Sequence, residues 1–411
     1  MSFPLNQSDV KILLLEGIHY SAVETLNKAG FTNVERISTA LEGDELISKL
    51  STAHFVGIRS RTQLKSEVLQ HGKHLLGIGC FCIGTNQVDL ETAASYGIPV
   101  FNAPHANTRS VAELVIGLTI MLMRGTFEKS QAAHNGDWLK SAVGSNEVRG
   151  KTMGIIGYGH IGSQISILAE SLGMQVIYHD AYTKLPLGNA NQVSLEELLH
   201  SSDIVTLHVP ETDETKGMIS KDVLDQMKKG SILINASRGS VVDIDALAQK
   251  LDSKHIKAAA IDVFPKEPQS KTETFQSPLR GFPQVILTPH VGGSTEEAQE
   301  SIGVEVGTKF VNYFNLGSTE GSVNFPQINV PPHKNGHRIM HIHKNIPGVL
   351  RQINRLIAEE DINILAQYLE TKGDIGYVVF DIESHREEEL LPKLNEIEGT
   401  VRTRIFREIN G

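Results

Sequence analysis

The sequence predicts an α/β protein with two doubly wound parallel-sheet domains and a smaller C-terminal βαββαβ module. Three observations predict it. Strand-length apolar runs alternate with helical stretches from Lys11 to Leu287, the pattern of parallel sheets covered by helices. One of those runs, at 151–156, passes straight into a glycine turn and a helix. After a proline-rich stretch at 325–336 the order becomes strand, helix, strand, strand, helix, strand, which is that of a ferredoxin-like module. A chain of 411 residues is too long for one ordinary core and suits two or three domains.

Taken in order, Lys11–Glu16 reads as a first strand and is followed by a helical pattern through Lys28. Further strands are expected at Phe55–Ile58, Leu75–Gly79 and Pro99–Asn102, completing a domain without a dinucleotide turn of its own. A long helix is expected from about Thr108 to Arg124. Its apolar run Val111–Met123 is 13 residues long and includes Glu113, too short to span a bilayer, so a buried helix is expected. Strands at Ile204–His208, Ser231–Asn235, Ala258–Ile261 and Val285–Leu287 would bring the second sheet to six. A helix capped near Ser294 would then return the chain to the first domain. The expected division is 1–106 with 294–326 as one domain, 107–293 as the second, 327–336 as a linker with a flexible joint at Asn335-Gly336, and 337–411 as the third.

The net charge of −10 argues against nucleic acid or an anionic membrane as a partner of the whole surface. Cys80 and Cys82 are too close for an unstrained bridge and lack the company of a zinc cluster. They read as small apolar residues in a reducing cytoplasm. No export signal is visible at the N-terminus, so a cytoplasmic location is expected.

Gly157, Gly159 and Gly162 have the G-x-G-x-x-G spacing. Such a turn lets backbone approach a pyrophosphate and aims a helix N-terminus at its charge. A second strand, Met174–Tyr178, is closed by Asp180, 18 residues past Gly162. An acid there accepts the ribose hydroxyls and repels a 2′-phosphate, which points to NAD rather than NADP.

Hydride chemistry on a 2-hydroxy acid needs a carboxylate clamp, an acid–base group and a partner that keeps that group protonatable. Arg238 follows one strand, Glu267 lies in a proline-fixed loop after the next, and His290 follows the strand after that. Sites in such sheets lie beyond the carboxyl ends of strands, so the three can converge. A carboxylate beside His290 would raise its pKa and favour the imidazolium. Singly, each has an ordinary reading as an ion pair, a solvated acid or a loop histidine. His341 and His343 share a strand face, but no further ligands make a metal site.

The segments G-Y-G-H-I-G, N-A-S-R-G, D-V-F-P-K-E-P and T-P-H-V-G-G-S-T resemble the signatures of the D-isomer-specific 2-hydroxyacid dehydrogenases. More narrowly, I-R-S-R-T at 58–62, the segments at 79–89 and 107–113, and the C-terminal module resemble the bacterial branch that oxidises D-3-phosphoglycerate. The resemblance implies a Rossmann domain for 107–293 and a catalytic set of Arg238, Glu267 and His290. It places Gly157, Gly159, His160, Ile161, Gly162, Asp180, Ala236, Ser237, Arg238, Asp262, His290, Val291, Gly292 and Gly293 around NAD. It further implies that Arg59, Arg61 and Asn107 bind substrate, that Lys140 reaches a neighbouring subunit's site, and that the chain forms a homotetramer. The C-terminal module resembles an ACT domain, implying L-serine as effector at His343, Asn345 and Asn363. The residues suit it, since asparagine amides both donate and accept as an amino acid requires. The same resemblance implies a side activity on 2-oxoglutarate. Rival readings are a dehydrogenase of an unphosphorylated 2-hydroxy acid and an NAD-sensing interaction protein.

Overall fold

The computed structural model describes residues 5–268, 273–332, 337–383 and 387–406. The chain divides into two compact units, Met1–Ala106 with Gln299–Gly411, and Asn107–Ala298.

In the first unit β1 (Ile12–Leu14), β2 (Val34–Arg36), β3 (Phe55–Ile58), β4 (Gly77–Cys80) and β5 (Val100–Asn102) form a parallel sheet in the order β2-β1-β3-β4-β5. The edge strand β2 escapes sequence reading because Val-Glu-Arg has no apolar run, and none of its residues is fully buried. The helix Glu296–Leu316 packs Phe310, Tyr313 and Phe314 onto Phe55 and Phe101 in one apolar cluster. The Phe55 and Phe310 rings lie 4.7 Å apart, within the range of favourable aromatic pairs.

The C-terminal module belongs to this same unit. Its strands β13 (His337–Lys344), β14 (Ile364–Lys372), β15 (Ile375–Ile382) and β16 (Thr400–Phe406) form an antiparallel sheet in the order β14-β15-β13-β16. One face packs Ile339, Val378, Phe380 and Ile405 against the helices Val349–Glu359 and Glu387–Asn395. The other face adds Met340, Ile342, Tyr377, Val379 and Phe406 to the cluster around Phe310 and Tyr313. This face also ties down the end of the helix Glu296–Leu316. Arg338, bidentate to Asp381 at 2.6 and 2.8 Å, donates to Leu316 O at 3.1 Å and Pro331 O at 2.9 Å. Arg404 donates to Phe314 O, and the Tyr377 hydroxyl to Gly317 O at 2.6 Å. The terminal carbonyls of a helix need such partners once water is excluded.

The expected linker is not a free tether over its described part. Ile328 and Val330 are buried, and Thr319 Oγ1 donates to Pro326 O at 2.7 Å and accepts from Ile328 N at 3.0 Å. Apolar residues between the prolines gave the segment something to bury. The expected joint at Asn335-Gly336 lies outside the described residues.

The second unit holds a parallel seven-stranded sheet of β6 (Thr152–Ile156), β7 (Gln175–His179), β8 (Asn191–Gln192), β9 (Ile204–Leu207), β10 (Ser231–Asn235), β11 (Ile256–Ile261) and β12 (Val285–Leu287), in the order β12-β11-β10-β9-β6-β7-β8. The six strands expected are joined by β8, two exposed polar residues at an edge. The helix Thr108–Arg124 ends at Gly125, whose φ is 58°, and a second helix, Thr126–His134, follows. Strand order reverses between β6 and β9, which places the ligand crevice beyond their carboxyl ends. No single described helix is long and apolar enough to cross a membrane.

Candidate active site

β6 delivers the chain to Gly157, whose φ is 94°. A Cβ there would stand 2.4 Å from His208 O, just past β9, so only glycine lets the two strand ends approach. A Cβ on Gly159 would meet no protein atom within 4 Å. The space ahead of the helix His160–Ser171 is therefore open to a group that needs close backbone contact, and the N–H groups of the first turn point toward it. His160, Ile161 and Gly162 form that turn. Asp180 follows β7, and its carboxylate accepts from Tyr158 N at 2.9 Å and Tyr182 N at 3.0 Å, which holds the acid beside the turn.

The loops after β10, β11 and β12 come together. Asn235, at the end of β10, accepts on Oδ1 from Ser237 N at 3.1 Å and Ser237 Oγ at 2.9 Å, and donates to Arg238 O at 3.0 Å. This folds Ala236–Arg238 into a fixed bend. Gly239 follows, and a Cβ on it would lie 2.0 Å from the Phe264 carbonyl carbon, so this loop rests directly on the one that carries Glu267.

Glu267 and His290 form the central pair. His290 Nδ1 lies 3.1 and 3.0 Å from the two Glu267 oxygens, and Phe264 N donates to Glu267 Oε1 at 3.1 Å. His290 holds a φ of 55°, unusual for a side-chain-bearing residue and worth a functional question. The Glu267 hydrogen bond raises the His290 pKa, outweighing burial, with the Glu267 and Asp262 charges adding to it and Arg238 opposing. Burial pushes the Glu267 carboxyl up, but His290, Phe264 N–H and Arg238 together bring it below the usual range. Arg238 is thus close enough to act electrostatically on both.

Asp262 braces the loop that follows β12. Buried, it accepts from Thr288 Oγ1 at 2.6 Å, Val291 N at 2.9 Å and Gly292 N at 2.8 Å, and so shapes the loop that presents His290. Asn107 lies against that loop, where a Cβ on Gly293 would meet its Nδ2 at 2.2 Å. Asn107 Oδ1 and His208 Nδ1 are buried without a hydrogen-bond partner among the described residues, and burial pushes the His208 pKa down to about 3. Open space at the glycine turn, an acid beside it and neutral polar atoms lacking partners fit a dinucleotide.

The remaining expected residues lie elsewhere on their units. Arg59 is half-buried and Arg61 exposed after β3, and neither guanidinium pairs with a carboxylate among the described residues. Lys140 is exposed in the loop after the helix Thr126–His134. In the C-terminal module His343 is buried, its Nδ1 3.3 Å from His341 Nδ1. Asn345 and Asn363 are exposed, and donate to Gly373 O at 3.0 Å and Glu383 Oε2 at 3.3 Å. No hydrogen bond joins these three residues to one another. The first helix of the module begins at Val349, after Gly348 with φ 96°. Among the described residues no group of three or more His, Cys, Asp or Glu could hold a metal ion. Sequence reading missed Glu16, which binds the Arg59–Thr62 loop, and the bracing role of Asp262. The acids were visible, but their partners are backbone N–H groups, which leave no signature.

Residues 116–292 match the NAD-binding domain of the D-isomer specific 2-hydroxyacid dehydrogenases, and residues 339–402 an ACT domain of the kind in AHAS small subunits. The chain is 56% identical over 403 residues to the D-3-phosphoglycerate dehydrogenase of Haemophilus influenzae, and 54% identical over 405 residues to that of Escherichia coli, each covering 98% of both chains. Among solved structures, the D-lactate dehydrogenase of Aquifex aeolicus, complexed with NAD and lactic acid, is similar with a TM-score of 0.65 and 25% identity, over 74% of this chain and 95% of that one. Fold and site thus define an NAD-dependent oxidoreductase of the D-isomer-specific 2-hydroxyacid class. Within that class, the chain belongs to the D-3-phosphoglycerate dehydrogenase family.

Proposed function

We propose that the chain oxidises D-3-phosphoglycerate to 3-phosphohydroxypyruvate, the first step of L-serine biosynthesis, and that L-serine inhibits it through the C-terminal module. The observation that carries this reading is the His290–Glu267 pair, with the Arg238 charge bearing on both.

In the proposed reaction Arg238 grips the substrate carboxylate, as a guanidinium does in a bidentate pair. With Nδ1 turned to Glu267, His290 takes the hydroxyl proton at Nε2. NAD, held at the glycine turn and Asp180, would supply the hydride acceptor. Glu267 holds the ring in place and stabilises the imidazolium that forms, and in reduction His290 returns that proton to the keto oxygen. The Asp180 carboxylate disfavours a 2′-phosphate, which supports NAD over NADP. Arg59 and Arg61, which pair with no carboxylate among the described residues, suit the substrate phosphate.

Asn107 and Lys140 complete the proposed substrate set, with Lys140 acting on a neighbouring subunit. Exposed Trp138 and Val143 on the same loop support a covered surface, and we read the assembly as a homotetramer working in the cytoplasm. Leu365 and Leu369 are exposed on the edge strand β14, so two C-terminal sheets can pair there. Serine would then contact His343, Asn345 and Asn363. The carboxylate clamp also suits 2-oxoglutarate as a second substrate.

The test is steady-state reduction of 3-phosphohydroxypyruvate by NADH, with and without L-serine. Turnover that serine suppresses is expected, and turnover on unphosphorylated acids alone would overturn the substrate assignment.

A further inference from the structure

Glu16 stands just past β1 with φ 60°, in a region that a residue with a side chain seldom occupies without being held there. Its backbone is fixed by Glu16 N donating to Thr39 O at 3.0 Å and Gly17 N to Ile37 O at 3.0 Å. β1 pairs in parallel with β3, so Glu16 and the loop after β3 leave the same edge of the sheet. There the carboxylate gathers three backbone N–H groups of that loop. Oε1 accepts from Arg59 N at 3.0 Å and Thr62 N at 2.9 Å, and Oε2 from Arg61 N at 3.0 Å. From the other side Gln87 Nε2 donates to Arg59 O at 2.6 Å. The backbone of Arg59 is thereby held by one side chain at its N–H and another at its carbonyl.

An acid beside two arginines would ordinarily pair with a guanidinium. Here it binds their backbone instead, and both guanidiniums are left without a carboxylate among the described residues. The geometry points to Glu16 as a positioning residue for the substrate's phosphate, curling Arg59–Thr62 so that two uncompensated guanidiniums project from a fixed backbone toward a phosphomonoester. This rests on the reading of Arg59 and Arg61 as the phosphate site.

Charge and geometry predict opposite signs, which makes the idea testable. As a bare negative charge, Glu16 repels a phosphate, so neutralising it would lower KM. As a brace, it needs two acceptor oxygens for three N–H groups. Glutamine offers one oxygen and turns an NH2 group against the remaining N–H.

The experiment uses the full chain with Glu16→Gln, Gln87→Leu and the double variant Arg59→Ala/Arg61→Ala. KM and kcat are measured for 3-phosphohydroxypyruvate and for hydroxypyruvate, together with NADH affinity by fluorescence titration. For Glu16→Gln the KM for the phosphorylated substrate should rise about tenfold, as for loss of one hydrogen bond to a charged group. The KM for hydroxypyruvate and the NADH affinity should stay within about twofold on the same grounds. Gln87→Leu should follow the same pattern more weakly, and it decides the matter if Glu16→Gln does not fold. An unchanged or lowered KM for the phosphorylated substrate, or an equal rise for both substrates, overturns the positioning role while the double arginine variant still discriminates. If the double variant does not discriminate either, the phosphate reading itself fails, and this inference with it.

Discussion

Gly239→Ala is the most informative single perturbation of the site, because it adds one carbon where the loops carrying two residues of the proposed catalytic set touch. The new Cβ would lie 2.0 Å from the Phe264 carbonyl carbon, 2.1 Å from its oxygen and 2.6 Å from Pro265 N, whereas ordinary contact begins at 3.4 Å. All three atoms are backbone, so no side chain can swing away, and the loops must part by more than an ångström. One of them carries Arg238, the other Glu267 and, through it, the orientation of His290. A misplacement of about 1 Å can cost about 100-fold in rate, so kcat/KM for 3-phosphohydroxypyruvate should fall by about that factor. Overpacking costs about 1–3 kcal/mol, which a folded protein of this size can tolerate with a lower Tm. The Gly157 turn is untouched, so NADH affinity, read by fluorescence titration, should stay within about threefold. A folded variant that keeps wild-type kcat/KM would refute the claim that this backbone contact aligns Arg238 with the His290–Glu267 pair.

Two further outcomes follow from the same geometry. Reduction needs the imidazolium, so its kcat/KM should hold on the acid side and fall as pH rises through the raised His290 pKa, while oxidation rises over the same interval. Glu267→Gln removes the main cause of that raised value, so both limbs should move to lower pH, and pH–rate profiles that do not shift would sink the assignment of Glu267. Asp381→Ala leaves the fully buried Arg338 without its carboxylate and should cost about 3–5 kcal/mol in chemical denaturation. Arg338→Met with Asp381→Leu should recover most of that, and a mild effect of Asp381→Ala alone would mean that the carbonyls of Leu316 and Pro331 suffice.

What the sequence disclosed was contiguous in it. The run from β6 through Gly157 to Gly162, and each loop carrying Arg238, Glu267 or His290, combine a strand end with the residues just after it, so one short window contains both scaffold and chemistry. Elements without a local pattern stayed hidden, such as β2 as Val-Glu-Arg, β8 as Asn-Gln, and the helix Thr126–His134 that follows the expected end at Arg124. β13 misleads in a different way. Its Arg338, His341 and His343 are polar yet buried, because one face of the sheet is covered by its own helices and the other joins the cluster around the helix Glu296–Leu316. The lining of that second face is distant in sequence.

The same long-range logic explains the acids. Asp180 accepts N–H groups from Tyr158 and Tyr182, Asp262 from Val291 and Gly292, and Glu16 from Arg59, Arg61 and Thr62. Asp203 does so for Thr152 at the start of β6. Each carboxylate stands at the end of one strand and organises the backbone leaving or entering another. An ionised carboxylate accepts several hydrogen bonds at once, and those bonds are stronger than neutral ones, so one residue can fix a loop that glycine content leaves short of side-chain contacts. Such a carboxylate already has its hydrogen bonds, whereas Glu267 spends one bond on Phe264 and directs both oxygens at an imidazole. The distinction between a bracing acid and the proposed catalytic one therefore lies in what it binds. Of these five acids Glu267 is the one that directs both oxygens at an imidazole, whereas the protonatable partner of Asp203 is the Lys228 ammonium.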